Sequence, residues 1–104
     1  MKSILSTKRI EIVIDAEKLD ELIDLLIKAG AKGYTVIRKV GGLGSYGTRN
    51  PDDAIWDEEN ALVTLACKED QAVRIVQGLR PRLKKFGGIC LISDCERLED
   101  AVAA

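Results

Sequence analysis

The stretch KRIEIVIDAEKLDELIDLLIKAG, residues 8–30, contains the change of period that decides the fold. Ile10, Ile12 and Ile14 alternate with Arg9, Glu11 and Val13, which is the two-residue period of a half-buried strand, so a first strand is expected over residues 8–14. Asp15 can accept the free amide hydrogens of a helix start, and Leu19, Leu22, Ile23 and Leu26 then recur at spacings of three and four. Gly30 closes that helix. Working outward, Gly33 to Val40 carries the β-favouring run Tyr34, Thr35, Val36, Ile37 and reads as a second strand, and Ala61 to Cys67 reads as a third. Ala72, Val73, Val76 and Leu79 mark a second helix from near Glu69. Pro81 ends or kinks it by removing a helix hydrogen bond, and Gly87-Gly88 turns the chain into a fourth strand, Ile89 to Ser93.

The order β-α-β-β-α-β implies an α+β, ferredoxin-like fold with two helices on one face of an antiparallel sheet. Its directions follow. With the first strand up, the second also runs up, the third runs down, the second helix climbs and the fourth strand runs down. The connection between the second and third strands therefore shares one end of the sheet with the turn between the second helix and the fourth strand.

The chain of 104 residues is read as one domain, 1–104, and a fold of this size buries about 65% of the surface its unfolded chain exposes. Hydrophobic residues make up 46% and charged residues 32%, a globular balance that argues against disorder. There is no histidine, which removes Ser-His-Asp and Cys-His nucleophile pairs, His-ligated zinc and a His general base. The expectation is a protein that is not an enzyme. Sixteen Lys and Arg against seventeen Asp and Glu give a net charge of −1, so no overall field points to nucleic acid or a membrane surface. Cys67, Cys90 and Cys95 form no CxxC pair, and small buried side chains suit them better than redox or metal chemistry. No apolar run is long enough to span a bilayer and nothing resembles a secretory signal, so a cytoplasmic setting is expected, without membrane insertion. Tyr34, Tyr46, Trp56 and Phe86 are too scattered for an RNA-stacking sheet.

The connection over residues 41–60 is far longer than the ~2–5 residues of a hairpin. Gly41, Gly42, Gly44 and Gly47 open it, and glycines let backbone amides surround an anion. GGLGSYG is neither a Walker loop nor a dinucleotide fingerprint, so a flexible hairpin base stands beside a phosphate cradle as its reading. The second half carries Asp52, Asp53, Asp57, Glu58 and Glu59, a pattern that reads as a solvated, self-repelling loop. Ile55 and Trp56 among those acids need cover from the body, another subunit or a partner. A second unusual stretch holds Arg80, Arg82, Lys84 and Lys85 before Phe86, Gly87 and Gly88. Basic residues suit a solvated helix end, but the shared end of the sheet also lets them converge with Arg49 and the glycine amides on one anion.

Gly30-Ala-Lys-Gly-Tyr-Thr-Val36, followed by Gly41-Gly-Leu-Gly-Ser45 and Arg49, resembles the PII signalling superfamily. The resemblance is strongest to its PII-like branch of bicarbonate-transporter regulators and carboxysome-associated proteins. It implies a homotrimer that binds adenine nucleotides in clefts between subunits, with the 41–60 connection acting as a T-loop that engages a target protein. On this resemblance Thr35 matches the position facing adenine, Gly42, Gly44 and Ser45 the start of the T-loop beside the phosphates, and Arg49 a phosphate-contacting arginine. Lys84, Lys85, Gly87 and Gly88 match the region of the B-loop.

Two departures shape the expected ligand. Ile89 directly follows Gly88, where nitrogen-regulatory PII proteins have a glycine-bounded lysine, and Arg97 leads into no further arginines. ADP or AMP is expected in preference to ATP with 2-oxoglutarate, with bicarbonate as a candidate second anion and no metal. The expected partners are a nucleotide and a protein target, such as a bicarbonate transporter or a carboxysome component, docked through Ile55 and Trp56. The alternatives are a trimer whose loop docks constitutively without a ligand, and a slow metal-assisted nucleotidase using Asp52 or Asp57.

Overall fold

The computed structural model describes residues 4–44, 47–49 and 59–99. β1 (Ile4–Asp15) leads through a single 3₁₀ turn (Ala16–Lys18) into α1 (Leu19–Lys28), which is followed by β2 (Thr35–Val40). A small hairpin of β3 (Gly42–Gly44) and β4 (Gly47–Arg49) stands apart from the main sheet. β5 (Asn60–Cys67), α2 (Glu69–Leu79), a one-turn α3 (Leu83–Phe86) and β6 (Ile89–Leu98) complete the described chain.

The main sheet has the order β2-β5-β1-β6 and every neighbouring pair is antiparallel. This is the ferredoxin-like arrangement, with β2 and β6 as its edges. The cross-strand pairs place Ile10 opposite Leu65, Ile12 opposite Val63 and Ile14 opposite Ala61, all on one face. That face packs against Leu22 and Leu26 of α1 and Ile75 and Leu79 of α2, which belong to the same buried cluster. Ile10, Ile12 and Ile14 are wholly buried, as the alternation of their neighbours requires.

The helix ends are closed locally. Gly30 is left-handed at φ 89°, its N–H donates to Ile27 at 3.0 Å, and the Ala31 N–H donates to Leu26 at 3.0 Å. Those are the two bonds of a Schellman motif, which satisfies orphan carbonyls at the end of α1. Gln71 and Arg74 of α2 reach the same turn. Gln71 Nε2 donates to the Gly30 carbonyl at 3.0 Å and Arg74 Nε to the Ala29 carbonyl at 3.1 Å.

Three expectations are corrected. Asp15 makes no side-chain cap bond, because the chain passes through the 3₁₀ turn before α1 begins. Instead the Ala16 N–H donates to the Glu59 carbonyl at 3.0 Å, tying this turn to the start of β5. The fourth strand continues to Leu98 rather than stopping at Ser93, since Lys8 to Ile4 of β1 offer pairing partners to Asp94 through Leu98. Polar residues are tolerated there because β6 is an edge strand exposed along most of its length. Cys67 is buried, but Cys90 and Cys95 on that edge strand are only half-buried.

No helix among the described residues covers the opposite face of the sheet. Ile37, Leu62, Val13 and Ile89 form one apolar row across all four strands, with Leu91 one pair further along β6. Ile37 is 48% exposed, Ile89 52% and Leu91 58%. Beside them Arg9 and Glu11 form an ion pair at 2.7 Å.

Candidate functional site

Both unusual stretches lie at one end of the sheet. Asn60, where the long connection returns, pairs with Asp15 at the end of β1 and with Val40 at the end of β2, and Ile89 pairs with Val13 nearby. The directions inferred from element order are those observed. The two stretches nevertheless stand at opposite edges. Thr35 and the root of the glycine loop belong to edge strand β2, whereas Lys84, Lys85, Gly87 and Gly88 precede edge strand β6. Three interstrand spacings of about 4.8 Å separate those edges, roughly 14 Å within one chain.

On the β6 side, α3 turns a basic run into a compact corner. Phe86 is fully buried in the core and anchors it, a role that the sequence reading did not assign. Its signal was a lone aromatic residue inside a run of cations. Lys84 and Lys85 remain exposed. Gly87 is left-handed at φ 68° and its N–H donates to the Lys84 carbonyl at 3.1 Å. A Cβ there would stand 2.6 Å from Asp15 Oδ2, so the carboxylate of Asp15 lies against this corner. At Gly88 a Cβ would fall 1.7 Å from the Val13 carbonyl oxygen, closer than any side chain allows. Gly88 is thus demanded by close backbone approach and Gly87 by its left-handed conformation, whatever ligand their amides meet.

On the β2 side, Thr35 is exposed and pairs with Thr64, and Ile37 pairs with Leu62. The pairing then slips: Arg38 faces Ala61, Val40 faces Asn60, and Lys39 between them has no partner, which is a β-bulge. Arg38 Nη2 reaches Glu59 Oε1 at 3.2 Å, so the outgoing and returning stems of the connection are clasped together. Beyond the bulge the hairpin pairs Gly42 with Arg49, Leu43 with Thr48 and Gly44 with Gly47, and this register brings three of the proposed contact positions together along one ribbon. Ser45, Ile55 and Trp56 lie outside the described residues.

The charges elsewhere are ordinary surface pairs. Lys8 holds Asp94 in an ion pair, and that carboxylate, through its hydrogen bond and its charge, moves the Lys8 ammonium above its usual value of 10.5. Burial raises the Cys67 and Cys90 thiols above 9.0, which disfavours the nucleophilic thiolate. Among the described residues no group of three or more acidic or cysteine side chains is placed to hold a metal, and no helix is long and apolar enough to cross a membrane.

Comparisons with known proteins agree with this architecture. Residues 7–101 match the family model described as nitrogen regulatory protein P-II. No curated protein sequence matches significantly. Among solved structures, CPII from Thiomonas intermedia bound to ADP and bicarbonate superposes with a TM-score of 0.81 at 24% identity, over 92% of each chain. The same protein bound to ADP, AMP and bicarbonate gives 0.83 at 23% identity, again over 92% of each. A PII-like signalling protein from Thermus thermophilus gives 0.79 at 23% identity, over 93% of this chain and 94% of the other. At these identities the structural likeness speaks for the fold.

Proposed function

Because the chain belongs to the nitrogen regulatory protein P-II family, we propose that it is a non-catalytic, homotrimeric signalling protein that binds ADP or AMP between subunits, with bicarbonate as a second ligand. The observation that carries this reading is the placement of the two unusual stretches at one end of the sheet but on opposite edges. A site that needs both is complete only where the β2 edge of one chain meets the β6 edge of another. The open apolar row on the sheet supplies a reason to assemble, since an exposed patch of this kind marks an interaction surface.

In this reading Thr35 faces the adenine, while backbone amides of Gly42, Gly44 and Ser45 hold the phosphates from one chain. Lys84 and Lys85 supply positive charge from the next, with Gly87 and Gly88 allowing the close approach, and Arg49 adds a further phosphate contact, a role supported by its pairing with Gly42 in the hairpin. The nucleotide acts as a signal by binding one arrangement of the 41–60 connection better than the others, which shifts its population. The output is a protein target in inorganic-carbon uptake or fixation, met through Ile55 and Trp56 in the cytoplasm. ADP and bicarbonate bound to CPII, a protein of the same fold, support the ligand class.

Calorimetric titration with AMP, ADP, ATP and cyclic AMP, with and without bicarbonate, tests the proposal. ADP or AMP is expected to bind more tightly than ATP, and no heat at millimolar nucleotide rejects the sensor in favour of a ligand-independent docking trimer. Changing Ile55 and Trp56 to Ser is expected to leave nucleotide affinity intact while abolishing capture of the target.

A further inference from the structure

The bulge at the root of the glycine loop holds a residue that the nucleotide reading does not use. Lys39 has φ 57° and is the described non-glycine residue with a left-handed backbone. That conformation presses the β-carbon against the following carbonyl, so glycine or asparagine is the ordinary choice. A lysine there is the costly option. Strained residues of this kind concentrate at ligand clamps and switch regions, where the surrounding structure holds them in place.

Its surroundings narrow the role. In an unbroken ladder residue 39 would face Asn60, but Val40 takes that place and Lys39 is expelled at the sheet edge, two residues before Gly41. The adjacent cation is already engaged, Arg38 with Glu59. Lys39 is exposed and has no ion pair among the described residues. We infer that Lys39 is an anion-contacting residue, turned out of the ladder by the bulge so that its ammonium meets the phosphates held by the glycine loop. This inference rests on the nucleotide reading and adds a charge from the same chain that supplies the loop amides. It explains why a lysine, and not a glycine, occupies the left-handed position: the side chain is what the strain maintains.

The test uses Lys39→Gly, which keeps and eases the bulge while removing the charge, and Lys39→Arg, which keeps the charge. ADP affinity is measured by calorimetry at two salt concentrations, and thermal midpoints are recorded without ligand. Lys39→Gly is expected to weaken ADP binding about tenfold and flatten its salt dependence, with Lys39→Arg close to the parent. The midpoint of Lys39→Gly should equal or exceed that of the parent, because the backbone strain is gone. ADP binding by Lys39→Gly as tight as the parent's overturns the inference, as does a lowered midpoint. A parent protein that binds no ADP overturns the nucleotide reading and this inference together, whereas a binding parent with an unaffected Lys39→Gly overturns this inference alone.

Discussion

The two faces of the sheet are built by the same strands from alternate residues, and they end in opposite conditions. Ile12 points to the helix side and is wholly buried, while its neighbour Val13 belongs to the row that runs through Ile37 and Ile89 on the uncovered side. The helix face has its partners in the same chain. The open face carries a shorter apolar row beside charged and polar residues, and no helix among the described residues covers it. The difference separates residues that determine whether the chain folds from residues that determine what it joins.

The largest effect expected on this contrast is Ile12→Ala, which empties a fully buried site and should cost about 2–5 kcal/mol in urea unfolding. A loss as small as that of an open-face substitution would abolish the distinction. Gly88→Ala comes next, because the new methyl would drive into the Val13 carbonyl; destabilisation on the order of 3 kcal/mol is expected, with weakened protection from hydrogen exchange at the Val13–Ile89 end of β6. On the open face, Ile89→Ser with Leu91→Ser should retain the far-ultraviolet dichroism spectrum while analytical ultracentrifugation shows dissociation toward the 11.4 kDa protomer. Persistence of the trimer with both changes would remove the open row from the assembly surface.

Arg38→Ala sharpens the comparison at its margin. The clasp to Glu59 is exposed on the arginine side, so its loss should cost about 0.5 kcal/mol or less, visible mainly as faster proteolysis within the 41–60 connection. The smallest effect is chemical. Cys67 and Cys90 should react slowly with an alkylating reagent at pH 8, with rates still rising above pH 9.0 as the raised thiols ionise. Rates that level off below pH 9.0 would contradict the burial of these two side chains.

What was legible in the sequence follows the same division. Strict alternation at Ile10 to Ile14 and the helical spacing from Leu19 to Leu26 could be read because each residue's place is set by a face buried within the chain. β6 was cut short because Asp94, Glu96 and Arg97 carry no hydrophobic period, and an edge strand needs none. The bulge at Lys39 left no trace, since one extra residue in a strand changes register without changing composition. For the candidate site, element order gave the shared end of the sheet. The edge on which each stretch sits depends on strand order, which spacing does not encode. The residues proposed to contact ligand are legible as types, glycines and cations, but in the proposed site they converge only through a second chain.

The separation between the β2 and β6 edges carries a thermodynamic consequence. In the proposed intersubunit site the ligand is shared between two chains, so its apparent affinity includes the free energy of bringing them together. Dilution then weakens ligand binding as well as assembly, and ligand in turn holds the assembly together at concentrations where the empty protein comes apart. Occupancy of such a seam reports protein concentration and nucleotide concentration at once.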